Sequence, residues 1–463
     1  MKRRLPILIA ATLLAALSGL AAIAAPTGAT LGLAPARGFA PHQVVVKFAG
    51  QRAGRAVALP PGIGVAAAAA ALRRDPRIAY AEPNYTATAS LFVPDDTGTL
   101  PSASGGATTA PGLAGHWVTR QWNFLPYTVG TPGVPISPGG INAVGAWRNL
   151  IAEGRPGAKG VVIAILDTGI AYRSLSHRSG GRHRFSRSPD FSARQFVPGY
   201  NFVDRNRYPV DVNGHGTHVA STIAEETDNG IGLTGLAYKA KLMPVQVLNS
   251  QGRGQASTIA KGIRFAADHG AQVINMSFNF GCGKKVPVVG EALRAAAMRG
   301  VVLVASVGNL GSETCVSPPA TEPGVIGVGG STQGGCLGDY SLTGEGVDLV
   351  APGGGTPTPG CPSILSAPIY QVTLIGRGSS NFGIPDDYVG TSMAAAHVSG
   401  VAAMVIASGV LGKVPPRSLD HRVAQRLKAT ARSLGLSQSE QGAGLIDAAK
   451  ATATAPPTRP PES

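Results

Sequence analysis

The chain is poor in the residues that mark several specialised classes of protein. Of its 463 residues only 5% are aromatic, 14% are charged and four are cysteine, and Asp and Glu number 25 against 40 Lys and Arg. Gly and Pro make about a fifth of the chain without a fixed period, which excludes collagen and lies below the roughly 25–30% typical of low-complexity chains. No G-x-x-x-x-G-K phosphate loop and no G-x-S-x-G elbow occurs, which argues against a phosphate-loop nucleotide site and against a lipase-type hydrolase. The length and the 44% hydrophobic content instead favour a globular protein with a full core.

The shortage of acidic residues leaves a formal charge of +15, which would suit a protein that binds nucleic acid or a membrane surface. Residues 1–90 contribute +8 of that charge, and the remainder of the chain contributes +7. If the front of the chain is removed in the mature protein, most of the basic excess is removed with it. We therefore expect no nucleic-acid partner.

Residues 1–24 have the layout of a secretory signal. Basic residues at 2–4 precede an apolar run over 5–23 that closes on small residues, so we expect cleavage near Ala24. A short membrane anchor is the alternative, but polar residues and a proline interrupt the run and no stop-transfer flank follows. We expect a secreted protein with no membrane span after signal removal. An even number of cysteines fits that compartment, where two disulfides with three possible pairings can form.

The pattern of apolar residues then divides the chain further. Strand candidates Val44–Phe48 and Ile78–Tyr85 and a helix candidate Val65–Arg74 predict a small α+β unit within residues 25–90. Residues 91–116 are rich in Ser, Gly, Thr, Ala and Pro and are interpreted as a linker, and residues 453–463 as a Pro-rich tail.

Residues 117–452 alternate short apolar strands with helical stretches. Val161–Leu166 and Val273–Met276 are typical of strands buried on both faces, and a helix candidate Gln255–His269 ends at Gly270. We predict a doubly wound α/β domain with a mostly parallel sheet and helices on both faces. Ligands of such sheets bind beyond the carboxyl ends of the strands.

Four motifs bring chemistry to positions of that kind. Asp167 directly follows an apolar strand, and Asn309 follows another within Val-Gly-Asn. His215 lies among glycines before a helix of small residues, and Ser392 lies at the start of a second such helix. Serine is a weak nucleophile at neutral pH unless a base such as histidine is within hydrogen-bond reach, and a buried carboxylate beside that histidine fixes its tautomer.

In the order Asp, His, Ser with an Asn between, these motifs resemble those of the subtilisin-like serine proteases, or subtilases, over about residues 121–450. The resemblance implies that Ser392 attacks the peptide carbonyl, His215 takes its proton, and Asp167 orients the imidazole. It implies that the Asn309 amide and the Ser392 N–H hold the oxyanion.

The same resemblance extends to the front of the chain, because residues 25–90 are similar to the subtilase propeptide. It implies a secreted serine endopeptidase that acts on polypeptides, is inhibited by its own propeptide until it processes itself, and works as a monomer. Processing is expected within the linker region.

Substrate and calcium sites are also implied by the resemblance. An extended substrate would lie between two backbone segments and beside a side-chain pocket, formed by Gly252, Gly254, Ser277, Phe278, Asn279, Ser306 and Gly308. A structural Ca²⁺ would be held by oxygen atoms of Gln121, Asp190, Thr227, Asn229, Ile231 and Leu233. We further predict disulfides Cys282–Cys315 and Cys336–Cys361, since each pair brackets a loop at the carboxyl side of the predicted sheet.

Other interpretations of these residues are less favoured. His215 and His218 could hold zinc, but no H-E-x-x-H occurs and a histidine inside a helix is more often packed core. Asp204, Asp211 and Asp228 are flanked by Asn and Gly, which predicts turns. Two other function classes are a catalytically silent binding module and a basic nucleic-acid- or surface-binding protein. The presence of all four catalytic groups favours the endopeptidase.

Overall fold

The structure of the protein is a computed structural model, and it describes residues 39–85, 92–100, 115–131, 133–175, 185–311, 314–376 and 378–454. The predicted signal and the end of the predicted tail lie outside these ranges. The described residues fall into two compact units, divided between Ser90 and Leu91.

The first unit is a three-stranded antiparallel sheet with one helix. Its elements are β1 (Phe39–Phe48), β2 (Arg55–Ala58), α1 (Val65–Leu72) and β3 (Ile78–Tyr85), with strand order β2-β1-β3. Val44 and Val46 of β1 are buried against Ala68 and Leu72 of α1. The unpredicted strand β2 has four mostly exposed residues, so it carries no apolar pattern by which to find it.

The second unit begins with α2 (Ala143–Ala152), β4 (Val162–Asp167), β5 (Tyr200–Asn201), α3 (His215–Ala224), β6 (Lys241–Gln246), α4 (Ala256–Asp268), β7 (Val273–Met276), α5 (Pro287–Ala297), β8 (Val302–Ser306) and β9 (Val325–Ser331). It continues with β10 (Leu349–Pro352), β11 (Thr373–Leu374), β12 (Phe382–Gly383), α6 (Thr391–Ser408), α7 (Leu419–Thr430), α8 (Gln438–Gln441) and α9 (Ala448–Thr452). Single 3₁₀ turns lie at His116–Thr119, Trp122–Phe124, Pro156–Ala158, Ala193–Gln195 and Pro416–Ser418.

Seven strands form one parallel sheet in the order β10-β9-β8-β7-β4-β6-β5. Successive residues of β4 enter two different cores, because Ile163 and Ile165 pack on one face while Ala164 and Leu166 pack on the other. Helices cover both faces, which confirms the predicted doubly wound α/β fold. Connections from β4 and β7 leave in opposite directions, so the carboxyl ends of these two neighbours flank the topological switch point.

The element positions predicted for the second unit were close, although not every strand was predicted. Strand β7 has the predicted bounds, and helix α4 ends before Gly270, whose φ of 86° is the left-handed cap expected there. Strand β6 was not predicted. It contains Pro244, which has no N–H for the ladder and is unusual inside a central strand.

Helix α6 runs through the core of the unit. Among the described residues it is the one helix that is long and apolar enough to cross a membrane by length and composition, and most of it is buried inside the protein. Both predicted disulfides are present, with Cα atoms 5.7 Å apart in Cys282–Cys315 and 6.2 Å apart in Cys336–Cys361.

Residues 92–100 contain no helix or strand but are packed into the second unit. The Phe92 ring stacks on Tyr238 with centroids 5.7 Å apart, and the Pro94 carbonyl accepts a hydrogen bond from the Trp117 indole at 2.9 Å. Asp96 is fully buried. This part of the predicted linker region is therefore held by specific contacts, while residues 101–114 lie outside the described ranges.

Candidate active site

The predicted catalytic side chains lie at the carboxyl edge of the sheet. Asp167 is the last residue of β4, Ser277 follows β7, and Asn309 follows β8 by three residues. His215 is the first residue of α3, and Ser392 is the second residue of α6. Parallel strands bring their carboxyl ends to one edge, so the fold gathers residues that are far apart along the chain.

Asp167 and His215 form a close pair. The Nδ1 atom of His215 lies 2.8 Å from Oδ1 of the fully buried Asp167, whose Oδ1 also accepts a 2.7 Å hydrogen bond from the Thr168 N–H. Burial lowers the pKa of the imidazole, but the Asp167 carboxylate opposes this by charge and hydrogen bonding, and the net pKa is raised. The pair therefore fixes which imidazole nitrogen faces away from the carboxylate.

Asp211 organises the start of the histidine helix, a role that the sequence did not reveal. Its Oδ1 accepts hydrogen bonds from Thr168 Oγ1, Asn213 N and Gly214 N, and its Oδ2 accepts two from Thr217. Asn213 and Gly214 do form a turn, as expected, but the Asp211 carboxylate is buried and accepts from the N–H of Thr217 in the first turn of α3. An acidic residue four positions before a helical histidine was the available signal.

Ser392 is tied to Ser277 in both directions. Its hydroxyl donates to the Ser277 carbonyl oxygen at 3.1 Å, while the Ser277 hydroxyl donates to the Ser392 carbonyl at 2.9 Å. The sequence predicted His215 as the hydroxyl's partner, so the observed rotamer differs from that expectation. The Ser392 hydroxyl is nearly buried and so needs a hydrogen-bond partner, and hydrogen bonds between catalytic groups often tighten only in the substrate complex.

A second polar network holds Ser277 in place. Asn275 of β7 donates from Nδ2 to Ser277 Oγ at 2.9 Å and accepts from Ser399 Oγ of α6 at 2.9 Å. All three side chains are buried, and sequence reasoning assigned no role to Asn275 or Ser399. The network joins the middle of the sheet to the helix that carries Ser392 and so fixes their separation.

The Asn309 amide is oriented by Thr391. Asn309 Oδ1 accepts from the Thr391 N–H at 2.9 Å and from its hydroxyl at 2.7 Å, and that hydroxyl accepts from Gly308 N at 3.2 Å. With its oxygen held on α6, the exposed amide keeps its N–H₂ group for another partner. Thr391 is fully buried and was not predicted as a functional residue.

The predicted substrate-binding residues occupy the same edge. Gly252, with φ of 71°, donates its N–H to the Asn249 carbonyl and forms an exposed turn with Gly254. Phe278 and Ser306 are buried, whereas Asn279 is exposed and accepts from the Gly281 N–H. Phe278 and Asn279 directly follow Ser277 in the chain, and Ser306 lies three residues before Asn309. Gly252 and Gly254 lie just before α4.

The two other histidines near the site are packed in the core. His218 stacks on Tyr388 with ring centroids 4.0 Å apart and donates to the Ile369 carbonyl, and burial lowers its pKa to about 3. His397 donates to the Met393 carbonyl and lies 2.8 Å from the Asn123 amide, and burial lowers its pKa to about 4. Both are therefore neutral structural histidines.

The predicted calcium residues surround Asp190. Its Oδ1 accepts from Asn229 Nδ2 at 2.9 Å and its Oδ2 from the Leu233 N–H at 2.9 Å, and the Ile231 N–H donates to Asn229 Oδ1 at 3.1 Å. Gln121 exchanges two hydrogen bonds with the backbone of Thr234, and the Thr227 hydroxyl donates to the Glu225 carbonyl. Within the described residues no three His, Cys, Asp or Glu side chains are spaced to hold a metal ion.

The donor chemistry of this region nevertheless suits Ca²⁺. Asp96 and Glu225, neither of which was predicted, are fully buried, and both lie close enough to the Asp190 carboxyl group to repel its negative charge. Burial raises the pKa of Asp96 to about 7, although backbone hydrogen bonds to its carboxylate oppose this shift. Burial together with mutual charge repulsion raises the pKa values of Asp190 and Glu225 well above the usual range. A divalent cation would offset exactly the charges that repel here.

Comparison with known proteins agrees with this geometry. Residues 158–444 match the family model described as the subtilase family. The thermophilic serine proteinase of Bacillus sp. strain AK1 is 33% identical over 345 residues, covering 74% of this chain and 67% of that protein, and subtilisin BL of Lederbergia lenta is 35% identical over 293 residues, covering 63% and 91%. A solved protease structure from Pseudoalteromonas arctica superposes with a TM-score of 0.58 at 27% identity, covering 78% of this chain and 99% of that one.

Fold, site and similarity together define a serine endopeptidase. The chain belongs to the subtilase family of subtilisin-like serine proteases.

Proposed function

We propose that the protein is a secreted, monomeric subtilisin-like endopeptidase that cleaves polypeptides through Asp167, His215 and Ser392. The observation that carries the proposal is the 2.8 Å contact between His215 Nδ1 and the buried Asp167 carboxylate at the carboxyl edge of the sheet, which leaves the other imidazole nitrogen available as a base. The family relation supports peptide bonds as the substrate.

In the proposed reaction, substrate binding releases the Ser392 hydroxyl from the Ser277 carbonyl and the hydroxyl donates to His215 Nε2. Ser392 Oγ then bonds to the peptide carbonyl carbon as His215 accepts the proton, and His215 returns that proton to the leaving amine as the C–N bond breaks. Water, deprotonated by His215, then releases the acyl group from Ser392 and restores the hydroxyl.

Charge on the carbonyl oxygen is stabilised by two donors. The Ser392 backbone N–H and the Asn309 amide supply them, and Thr391 keeps that amide from rotating. Substrate backbone adds along Gly252–Gly254 and Ser277–Asn279, and Ser306 and Gly308 border the pocket for the residue before the scissile bond.

Ca²⁺ is proposed as a structural ion in the loop around Asp190. Oxygen atoms of Gln121, Thr227, Asn229, Ile231 and Leu233 would complete its shell after the Asn229 amide turns, and it would stabilise the ionised form of the buried carboxyl groups. The protein is also proposed to be made as a precursor, with residues 1–24 as signal and 25–90 as an inhibitory propeptide removed by the enzyme itself. The similarity to named subtilisins supports both ideas.

The test is expression of wild type, Ser392→Ala and the surface control Ser439→Ala, followed by mass measurement of the secreted chain and a casein assay. We expect wild type and the control to mature and digest casein, and the Ser392→Ala chain to remain a full-length precursor without activity. Removal of the nucleophile in the related enzyme subtilisin lowers kcat by about 2 × 10⁶-fold. Maturation and casein digestion by purified Ser392→Ala protein would exclude Ser392 as the nucleophile.

A further inference from the structure

A cavity of about 650 Å³ lies behind the turn that contains Gly252 and Gly254, between the loop after β5 and helix α4. Three aromatic side chains line it and touch one another, with ring centroids 4.7 Å apart for Tyr200 and Phe202 and 5.6 Å apart for Phe202 and Phe265. The cavity is therefore a formed space with a packed wall and is separate from the catalytic residues.

The charged groups around this cavity are all cationic. Arg205, Arg253 and Lys261 line it, and none of its lining residues is acidic. Across the part of the chain that the structure describes, none of the three cations forms an ion pair. Asp204, the acidic residue next to Arg205 in the chain, accepts a hydrogen bond from the Asn201 amide and lines a neighbouring cavity. Three unneutralised cations around one concave space attract a negatively charged group.

The beginning of α4 adds to this field. Ser257 and Thr258, in the first turn of this 13-residue helix, line the cavity, and the helix starts without a side-chain cap and without an acidic residue in that turn. The positive end of the helix dipole therefore lies beside the same space as the cations.

The cavity is continuous with the segment that we propose binds substrate backbone. Arg253 and Gly254 belong to that segment and also line the cavity, and Asn249 fixes their turn by accepting from the N–H groups of Gln251 and Arg253 at 3.0 Å each. A peptide lying along Gly252–Gln255 would therefore lie next to residues that also line the cavity.

We propose that this cavity binds an acidic side chain of the polypeptide substrate. The enzyme would then favour substrates that carry Asp or Glu at the position whose side chain enters the cavity. The proposal rests on the proposed endopeptidase function. A single exposed ion pair changes binding by about 1.4–5-fold, and several cations acting on one carboxylate add to this, so we expect about a five- to tenfold preference at low salt.

The test uses internally quenched peptides in matched pairs that differ by Glu or Gln at one position, scanned along the unprimed and primed sides. Wild type is expected to cleave the Glu peptide about five- to tenfold more efficiently at one position, by kcat/KM, and the preference should shrink in 1 M salt. Lys261→Glu and Arg205→Glu should each lower that ratio by about 2–5-fold. The control Arg264→Glu changes an exposed residue of the same helix outside the cavity and should leave the ratio unchanged.

Two results would overturn the proposal. One is equal cleavage of Glu and Gln peptides at every position by an active wild type, and the other is an acidic preference that Lys261→Glu and Arg205→Glu leave intact. Both outcomes leave the endopeptidase function standing. A wild-type protein that cleaves no peptide at all would instead contradict the proposed function itself.

Discussion

Two groups of buried carboxylates in the second unit differ in the hydrogen bonds and counter-charges that stabilise them. At the catalytic edge, Asp211 accepts five hydrogen bonds and Asp167 faces His215 and the Thr168 N–H. Around the predicted calcium loop, the buried carboxyl groups of Asp96, Asp190 and Glu225 repel one another, and within the described residues none of them forms an ion pair with a cationic side chain.

The difference separates what the chain supplies by itself from what it needs from outside. Donors from Thr168, α3 and the turn before α3 satisfy Asp211, and Asp167 has the Thr168 N–H and the His215 imidazole on Oδ1, while its Oδ2 has no hydrogen-bond partner in the described structure. The second group requires either protons or a cation, because buried carboxylates without counter-charge are costly. Catalytic substitutions should therefore change turnover more than stability, and substitutions at the loop should do the reverse.

Among substitutions that keep the Ser392 nucleophile, the largest expected effect is that of Asp167→Asn, tested in an enzyme whose precursor is processed in trans. The amide would place the wrong tautomer on His215, and the equivalent change in a serine protease of another fold lowers kcat by about 10⁴-fold. Because the side-chain volume is kept, the melting temperature should change little. Steady-state kinetics measure kcat and a thermal melt measures stability. A large loss of stability with near-normal kcat would contradict the catalytic role proposed for Asp167.

Thr391→Val should have the next largest effect. It removes the hydroxyl hydrogen bond to Asn309 and leaves the Thr391 backbone bond, so we expect kcat to fall about tenfold while KM stays within about twofold. Asn309→Ala provides the scale, because loss of the corresponding amide in subtilisin costs about 10²–10³. Thr391→Ser retains the hydroxyl and should restore most of kcat. A Thr391→Val enzyme with normal kcat would show that the amide needs no such support.

Glu225→Gln addresses the second group of carboxylates. In chelator at pH 8 the neutral amide removes a buried acidic group that repels Asp190 and Asp96, so the free energy of unfolding should rise by about 1–3 kcal/mol relative to wild type. With Ca²⁺ added, wild type should gain more stability than the variant. The half-buried neighbour Glu226→Gln is the matched control and should behave as wild type. Equal melting temperatures of wild type with and without Ca²⁺ would contradict the proposed calcium site.

The same group of carboxylates also predicts a pH dependence of stability. Burial raises the pKa of Asp96 from 3.8 to about 7, so the folded state favours the protonated form. Its contribution is fully present below about pH 4 and is lost as pH rises through 7, at up to about 1.4 kcal/mol per pKa unit. Melts of calcium-free wild type and Asp96→Asn between pH 4 and pH 8 should differ in slope, with the variant flatter. Parallel curves would mean that Asp96 titrates normally.

Sequence reasoning reached the fold and named candidate catalytic groups because both depend on local patterns. Continuous apolar runs ending in Asp167 or leading to Asn309 identify buried parallel strands, and glycine-flanked His215 and Ser392 identify the helix starts. Pro244 hid β6 from the same reasoning, since proline argues against a central strand.

The parts that escaped prediction depend on contacts between distant segments. Asp96 lies in a stretch whose composition is that of a loop, and only folding brings it to the N–H groups of Asp228 and Asn229 at 3.1 Å. Asn275 and Ser399 are ordinary polar residues in a strand and a helix until those elements pack together. Asp211 was assigned to a turn correctly, but its hydrogen bonds to α3 could not be inferred from the turn alone.

The most direct test of the central claim is covalent labelling of the processed protein with diisopropyl fluorophosphate, followed by peptide mass mapping. We expect one equivalent of the phosphoryl group on Ser392, with loss of casein digestion in proportion to labelling and no labelling of protein denatured beforehand. Full casein digestion after exposure to the reagent, or inactivation with the label on a residue other than Ser392, would contradict the account.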